Sequence, residues 1–159
     1  MKNWRIGYGY DVHRLEDGLK LRLGGVDVPH TKGCVAHSDG DAVVHALCDA
    51  LLGAAALGDI GLHFPDTSAE FKGIDSTQLL RRTAALVRGS GYEIGNADCT
   101  IILQVPKVRP YIDLMRTALA AAMDIDMNAV SVKATTTEKL GFTGREEGVA
   151  AEAVVLIYR

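Results

Sequence analysis

The C-terminal segment GVAAEAVVLIY, residues 148–158, restricts the fold more than any other part of the chain, because it is apolar at nearly every position. In a β-strand, successive side chains point to opposite faces of the sheet. Both faces of this strand are therefore apolar, apart from Glu152. Such a strand must be covered on both faces. We expect one of the two covering layers to come from another copy of the chain.

Helical and extended patterns alternate along the rest of the chain, which is typical of an α/β sandwich with one sheet covered on one side by helices. At 159 residues the chain fits a single domain, residues 1–159. The predicted strands are about 4–12, 92–105, 130–136 and 148–158, with a hairpin at Gly24-Gly25, and the predicted helices are 41–57, 77–91 after an N-cap at Ser76, and 111–123.

Composition and charge exclude several classes of function. The net charge is −3 and there is no run of Lys or Arg, which argues against partners such as nucleic acid or an anionic membrane. The longest apolar run, AVVLIY, is too short to span a bilayer, and the N-terminus does not resemble a signal peptide. Three cysteines without CxxC spacing indicate buried thiols in a reducing compartment. We expect a cytoplasmic protein.

The segment YGYDVHRL, residues 8–15, places an acid and an imidazole two residues apart in an otherwise apolar strand. Strand alternation puts Tyr8, Tyr10 and Val12 on one face and Asp11 and His13 on the other. A catalytic zinc site commonly uses three protein ligands, so a third ligand must come from elsewhere. Alternatively, Asp11 and His13 form only a solvated or hydrogen-bonded pair, which is the commoner role of such a motif.

The segment AHSDGDAVVHAL, residues 36–47, offers two candidates for the third ligand, His37 before a helix and His45 within it. Spacing alone does not choose between them. Asp41, His45 and Asp49 are four residues apart and predict a polar stripe on the helix, with Asp49 accepting the second ring N–H of His45. A single helical histidine is, however, usually structural.

Two further segments combine polar residues with helix or turn signals. The start of the helix at residues 37–41 favours an anion such as phosphate, although Ser38, Asp39 or Asp41 can equally serve only as its cap. In GDIGLHFPD, Asp59 is suited to hold a ribose diol, although Asp, Gly and Pro are also ordinary turn residues.

The segment VKATTTEKLGFTGREEG, residues 132–148, has two interpretations. Thr135 and Glu138 have the spacing of a helix capping box. Alternatively, residues 135–137 donate hydrogen bonds to phosphate and Glu138 binds Mg²⁺, which usually takes one or two carboxylates together with substrate phosphates.

Taken together, the blocks DVH, AHSDGDAVVHAL, LGDIGLHFPD, VPK and KATTTEKLGFTGREEG closely resemble the 2-C-methyl-D-erythritol 2,4-cyclodiphosphate synthase family of the non-mevalonate isoprenoid pathway. The resemblance covers nearly the whole chain, in the same order and spacing. It implies a metal-dependent phosphorus–oxygen lyase that cyclises 4-diphosphocytidyl-2-C-methyl-D-erythritol 2-phosphate and releases CMP. It also implies a homotrimer whose sheets face the threefold axis, with active sites between subunits.

The resemblance further implies roles for individual residues. Asp11, His13 and His45 are expected to bind Zn²⁺ or another divalent cation such as Mn²⁺, and Glu138 to bind Mg²⁺. His37, Thr136 and Glu138 are the expected catalytic residues. The expected substrate-binding residues are His37, Ser38, Asp59, Gly61, Asp66, Leu103, Gln104, Val105, Pro106, Lys107, Ala134, Thr135, Thr136, Phe142 and Arg145. An isoprenoid diphosphate is expected to fit an axial cavity. Near this threefold axis Glu152, the lone acid of the last strand, is predicted to pair with a cation such as Arg145.

This reaction needs no side-chain nucleophile, because the substrate's own 2-phosphate attacks the β-phosphorus. The sequence accordingly has no GxSxG or similar nucleophile signature. Two rival functions use the same residues: a non-catalytic module that binds a nucleotide or an isoprenoid diphosphate, and a phosphohydrolase that activates water and yields a linear product.

Overall fold

The computed structural model describes residues 3–159 and has one five-stranded sheet in the order β4-β1-β7-β5-β6. The strands of this sheet are β1 (Trp4–Asp17), β4 (Lys32–Cys34), β5 (Glu93–Ile102), β6 (Val130–Thr135) and β7 (Gly148–Tyr158). Only the β5–β6 pair is parallel among these described strands. The predicted strand at residues 148–158 is confirmed, and it lies at the centre of the sheet.

A separate hairpin pairs β2 (Leu21–Leu23) with β3 (Val26–Val28). Its two-residue turn is formed by Gly24 and Gly25, whose φ angles are 59° and 78°. Positive φ at both turn residues is the geometry that matches the twist of a tight hairpin. The hairpin predicted from the Gly24-Gly25 pair is confirmed.

Five α-helices accompany the strands in the described part of the chain: α1 (Ala42–Ala54), α2 (Ile60–His63), α3 (Ser76–Gly89), α4 (Ile112–Met123) and α5 (Gly141–Gly144). The three longest correspond to the predicted helices. Helix α1 is shorter than predicted at both ends, because Asp41 caps its start and the helix ends before Ala55, its C-cap, and Ala56, which has a φ angle of 59°. The predicted cap of α3 was also wrong, since Asp75 is the N-cap and Ser76 is the first helical residue.

Helix α1 packs against β1 through an unusually close backbone contact. A Cβ atom on Gly9 would lie 1.8 Å from the carbonyl oxygen of Ala46, and one on Gly7 would lie 1.8 Å from that of Ala50. Only glycine leaves room for such an approach. The two glycines share a face of β1 with Asp11 and His13, so the contact brings the helix directly to that polar pair.

The opposite, outer face of the sheet is open in the single chain. Ile6 is 72% exposed and Tyr8 58% exposed, and Tyr10, Val12 and Val154 are also exposed. Helices therefore cover one side of the sheet, as predicted. The second covering layer expected for the last strand is not supplied by residues 3–159.

None of the helices between residues 3 and 159 combines the length and the apolar character needed to cross a membrane.

Candidate metal centre and neighbouring cavities

Strand β1 and helix α1 bring three potential metal ligands together. His13 Nε2 lies 2.9 Å from Asp11 Oδ2 and 3.0 Å from His45 Nδ1, and His45 Nδ1 lies 3.2 Å from Asp11 Oδ2. This is the only such cluster of three among residues 3–159. The predicted pairing of Asp11 and His13 on one face of the strand is confirmed, together with their approach to His45.

The surroundings of Asp11 and His13 stabilise charge on both groups. Burial disfavours the Asp11 carboxylate, but its hydrogen bond with His13 and the proximity of His45 outweigh burial and lower the Asp11 pKa to about 2. Burial also disfavours the protonated His13 ring, but its hydrogen bond and charge interaction with Asp11 raise the His13 pKa. The centre therefore holds an ionised carboxylate at neutral pH.

The donor atoms suit a small divalent cation. Two imidazole nitrogens and one carboxylate oxygen are ligands that zinc accepts at about 2.0–2.2 Å, commonly with a fourth position left for substrate. His13 Nδ1 lies 3.3 Å from the carbonyl oxygen of Val35. Because a carbonyl only accepts hydrogen bonds, the ring proton of neutral His13 belongs on Nδ1, which leaves the Nε2 lone pair for a cation. The residues therefore fit the expected metal.

Of the two candidate third ligands, His45 joins the cluster. The ring of His37 points elsewhere, with Nε2 3.1 Å from the carbonyl oxygen of Ser68. The predicted role of Asp49 was wrong, because its carboxylate accepts the backbone N–H of Ile60 at 2.8 Å. Ser76 and Ser38 lie at the second ring nitrogen of His45 instead, with Oγ atoms 2.9 and 3.2 Å from Nε2.

Asp41 does not belong to a polar stripe facing the site. It is fully buried, and its carboxylate accepts backbone hydrogen bonds from Gly24, Gly25 and Val44. Burial raises the Asp41 pKa to about 6 despite these three donors. The capping role considered for this residue is confirmed, and the cap also joins the hairpin turn to α1.

A cavity of about 400 Å³ adjoins the metal cluster, and we call it the metal-side cavity. Its lining contains the cluster residues His13 and His45 together with four predicted substrate-binding residues, which are His37, Ser38, Gly61 and Asp66. Asp59 is not among the lining residues. It is the N-cap of α2, and its side chain accepts the backbone N–H of Leu62.

A second cavity, of about 330 Å³, lies where β5 and β6 end, and we call it the strand-end cavity. It shares no lining residue with the metal-side cavity. Its lining contains seven predicted substrate-binding residues: Leu103, Gln104, Pro106, Lys107, Ala134, Thr135 and Thr136. Sequence reasoning missed two further cations in this lining, Arg109 and Lys133, of which Lys133 is paired with Asp98.

The predicted capping box at Thr135 and Glu138 was wrong. Residues 136–140 form a loop, and the next helix begins only at Gly141. In this loop Glu138 and Lys139 have φ angles of 53° and 66°, which are strained for residues with side chains. The backbone N–H of Lys139 donates to Gln104 Oε1 at 3.1 Å, which ties the loop to the strand-end cavity. Glu138 and Val105 line neither cavity.

Phe142 and Arg145 line a third cavity, which also includes His13 and Glu147. Within the chain Arg145 pairs with Glu147 instead of Glu152, with Arg145 Nε 3.0 Å from Glu147 Oε1. That pair raises the Arg145 pKa and lowers the Glu147 pKa. The pairing of Glu152 with a cation near the threefold axis stays a prediction.

The register of the sheet relates the first two cavities. Asp11 is paired with Ala151, Ala151 with Ile101, and Ile101 with Ala134. Asp11 in the metal cluster and Ala134 in the strand-end cavity are therefore three strand spacings of about 4.8 Å apart, which is about 14 Å across the sheet along this row of paired residues. Ala151 and Ile101, which lie between them, are completely buried. The direct path along this row is therefore closed in a single chain.

The fold and the site define an α/β protein with a mixed five-stranded sheet, an Asp–His–His cluster suited to a divalent cation and two cavities. Comparison with known proteins gives a more specific assignment. Residues 4–158 match the sequence pattern of the YgbB family. The chain belongs to this family.

Curated and structural relatives agree with this assignment. The chain is 61% identical to a 2-C-methyl-D-erythritol 2,4-cyclodiphosphate synthase from Azotobacter vinelandii, over 96% of this chain and 98% of the relative. A solved structure of a protein with the same name, bound to CDP, is 42% identical with a TM-score of 0.89, over 96% of this chain and 99% of the other. The bifunctional IspDF from Campylobacter jejuni has a TM-score of 0.95 at 43% identity; the match covers 99% of this chain but 43% of that longer protein.

Proposed function

We propose that the chain converts 4-diphosphocytidyl-2-C-methyl-D-erythritol 2-phosphate to 2-C-methyl-D-erythritol 2,4-cyclodiphosphate and CMP, with the Asp11–His13–His45 cluster as its metal centre. An oxygen of the substrate's 2-phosphate forms a bond to the β-phosphorus, and the bond from that phosphorus to the oxygen shared with the α-phosphate breaks. CMP leaves with that oxygen. The synthase activity agrees with the names of the curated relatives and with family membership.

The single observation that carries the proposed mechanism is the cluster of three ligands. Asp11, His13 and His45 would hold Zn²⁺ or a similar cation, such as Mn²⁺, which supplies positive charge to orient and polarise phosphate oxygens when bound. Asp11 is suited to this role because its low pKa keeps the carboxylate ionised at neutral pH. Val35 supports the same role by accepting a hydrogen bond from the opposite side of the His13 ring.

The chain's task is to bring two anionic groups together. Two unit negative charges about 4 Å apart repel by about 4 kcal/mol at an effective dielectric constant of 20. Lys107 and Arg109 on the strand-end cavity favour an anionic ligand there. We propose that Glu138 holds Mg²⁺ against the diphosphate and that Thr136 donates a hydrogen bond to the diphosphate. His37 and Ser38 are proposed to contact the methylerythritol phosphate.

The cytidine end would then occupy the strand-end cavity. Its apolar lining includes Leu103, Val108 and Ile112, which suits a base, while Ala134 and Thr135 lie at the end of β6. Asp59 and Gly61 are proposed to hold the ribose, and Asp66 to contact substrate from the metal-side cavity. Holding both ends in reactive geometry can remove on the order of 7–11 kcal/mol of barrier.

A homotrimer with active sites between subunits is part of the proposal. It is supported by the open apolar column at Ile6, Tyr8, Tyr10 and Val12, since a patch of this kind commonly marks an interface. In a single chain, the buried residues Ala151 and Ile101 close the direct path between the metal-side cavity and the strand-end cavity. A second chain can bring its strand-end cavity to the metal-side cavity of the first, which also supports active sites between subunits. An isoprenoid diphosphate is proposed to fit an axial cavity of this trimer, and Phe142 and Arg145 are proposed to contact substrate.

The chain is further proposed to act as one synthase domain over residues 1–159 and to work in the cytoplasm. The second proposal is supported by three free, buried cysteines, Cys34, Cys48 and Cys99. Burial raises the pKa of each thiol to about 12, so these groups are poor nucleophiles at neutral pH.

The proposal is tested by following the diphosphocytidyl substrate with ³¹P NMR in enzyme treated with a chelator and then resupplied with zinc. We expect a cyclic diphosphate and CMP, loss of both with chelator, and recovery with metal. A linear product would favour the phosphohydrolase, and no CMP at all would favour a binding module.

A matched pair of variants tests the metal centre itself. Asp11→Asn should lower the rate at least about 100-fold, because a metal's charge is worth several kcal/mol in a transition state. Asp113→Asn makes the same change at an exposed position of α4 and should leave rate and zinc content unchanged. An Asp11→Asn enzyme with the zinc content and rate of the wild type would refute the assignment.

A further inference from the structure

We propose that Ser76 and Asp39 form a hydrogen-bond relay that holds His45 in the tautomer able to bind a cation. This inference rests on the proposed metal centre and extends it to two residues outside the ligand cluster. Ser76 and Asp39 are positioning residues, since neither of them contributes an atom to the cluster.

The relay begins at the ring nitrogen of His45 that faces away from Asp11 and His13. His45 Nε2 lies 2.9 Å from Ser76 Oγ. The hydroxyl of Ser76 donates to Asp39 Oδ1 at 2.5 Å, and the backbone N–H of Ser76 donates to Asp39 Oδ2 at 2.9 Å. Ser76 is completely buried, so water does not compete for its hydroxyl.

The direction of the relay follows from the chemistry of its ends. A carboxylate only accepts hydrogen bonds, so the single hydroxyl proton of Ser76 must point to Asp39. Ser76 Oγ can then only accept from His45, which places the ring proton on Nε2. The lone pair of neutral His45 is therefore on Nδ1, the atom that lies 3.0 Å from His13 Nε2 and 3.2 Å from Asp11 Oδ2.

Ser38 offers a weaker alternative at the same nitrogen. Its Oγ atom lies 3.2 Å from His45 Nε2 and accepts the backbone N–H of Gly40 at 3.4 Å. The hydroxyl proton of Ser38 has no fixed acceptor in this arrangement, so Ser38 can either donate to His45 or accept from it. Ser38 therefore does not determine the tautomer, whereas Ser76 does.

Arg22 holds the far end of the relay. Its Nε atom lies 3.1 Å from Asp39 Oδ2 as a charge contact without hydrogen-bond alignment, and its Nη2 atom donates to Asp75 at 2.9 Å. Asp39 Oδ2 thus faces only donors, from Arg22 and from the backbone of Ser76. Asp39 Oδ1 accepts from the Ser76 hydroxyl and from the backbone N–H of Asp41 at 3.1 Å.

This asymmetry makes Asp39→Asn a sharp test. The amide oxygen of the new side chain is favoured at the Oδ2 position, because both donors there are fixed N–H groups, whereas at Oδ1 only the Asp41 N–H is fixed and the Ser76 hydroxyl can turn to accept. Its NH₂ group would then point at Ser76 Oγ and reverse the relay. Ser76 would donate to Nε2, and the ring proton would move to Nδ1, where a cation should bind.

The test measures zinc affinity of the purified protein by competition with a chromophoric chelator. Ser76→Ala and Asp39→Asn should each weaken zinc binding about 10- to 100-fold, which is typical when a partner of a metal-bound histidine is lost. Ser90→Ala is the matched control, because Ser90 lies just after the other end of α3 and donates to Leu86. It should bind zinc like the wild type.

Two further measurements separate the relay from a general effect on folding. In ¹H–¹⁵N spectra of the zinc-loaded protein, the His45 Nε2–H of the wild type and of Ser90→Ala should be protected from solvent exchange, and Ser76→Ala should lose that protection. The double variant Ser76→Ala/Asp39→Asn should bind zinc no more weakly than Ser76→Ala alone, because both changes break one chain of contacts.

The outcomes distinguish the relay from the metal centre. If the wild type binds zinc but Ser76→Ala and Asp39→Asn match Ser90→Ala within threefold, the relay is wrong and the metal centre stands. If the wild type binds no zinc at one ion per chain, the metal centre fails and the relay with it. If Ser76→Ala does not fold by circular dichroism, Asp39→Asn, which preserves side-chain volume, decides by the same threefold criterion.

Discussion

The contact between α1 and β1 leads to a quantitative prediction for Gly9→Ala. The added Cβ atom would lie 1.8 Å from the carbonyl oxygen of Ala46, and a distance below 3.0 Å is essentially never seen for such a contact. The helix must therefore retreat by at least about 1.2 Å, because both partners are backbone in a close-packed interior.

The cost of this retreat follows from what α1 carries. Ten of its thirteen residues are buried, so the movement opens a gap along the largest helix contact in the core. Overpacking a core usually lowers the free energy of unfolding by about 1–3 kcal/mol. Because the clash here is with rigid backbone, we expect a loss of about 3 kcal/mol or more. At about 2–4 °C per kcal/mol for a chain of this size, Tm should fall by at least about 6 °C.

The same retreat carries His45, the neighbour of Ala46, away from the strand that bears Asp11 and His13. We therefore expect Gly9→Ala to lose zinc as well as stability. Thermal unfolding by circular dichroism and zinc content by atomic emission measure the two effects.

Gly53→Ala is the matched control for this prediction, because Gly53 lies in α1 with nothing within 4 Å of an added Cβ atom. Alanine should stabilise the helix there by about 0.5–1 kcal/mol. Should Gly9→Ala melt within 2 °C of the wild type and keep its zinc, the close backbone contact and its role in building the site would both be refuted.

Two other predictions concern Asp41 and the outer face. Burial raises the Asp41 pKa from 3.8 to about 6, so its contribution to stability is fully present below pH 3.8 and is lost as pH rises through 6. Urea unfolding should show the wild type losing stability relative to Asp41→Asn over that range, and parallel pH profiles would contradict this. Ile6→Asp should yield monomers in light scattering, whereas Leu114→Asp, at a comparably exposed position on α4, should leave the assembly intact; a trimeric Ile6→Asp would exclude the proposed interface.

Local patterns predicted the features that depend on local geometry. Alternation along β1 was sufficient to place Asp11 and His13 on one face, because that periodicity belongs to the strand itself. The turn at Gly24 and Gly25 followed from the positive φ angles that a two-residue hairpin requires.

The spacing of residues along the chain could not predict contacts between segments that are distant in sequence. Asp49 lies one turn after His45, which made it the expected partner of the His45 ring. The chain after α1 turns back, however, and the backbone N–H of Ile60 donates to the Asp49 carboxylate. Ser76 lies 31 residues from His45 and reaches it only because α3 packs beside α1. A serine at the start of a helix resembles any other cap residue, so no local signal could have identified it.

The β1–β7 ladder runs without interruption from Trp4 paired with Tyr158 to Arg14 paired with Gly148. A one-residue shift in the pairing of β1 with β7 would turn Tyr10 and Val12 towards α1. It would place the Asp11 carboxylate and the His13 imidazole on the outer face of the sheet. A misaligned chain could retain its strands and its circular dichroism while binding no ion. With the proposed metal centre, stoichiometric uptake of zinc after refolding would therefore report on strand alignment, which optical measures of secondary structure do not detect.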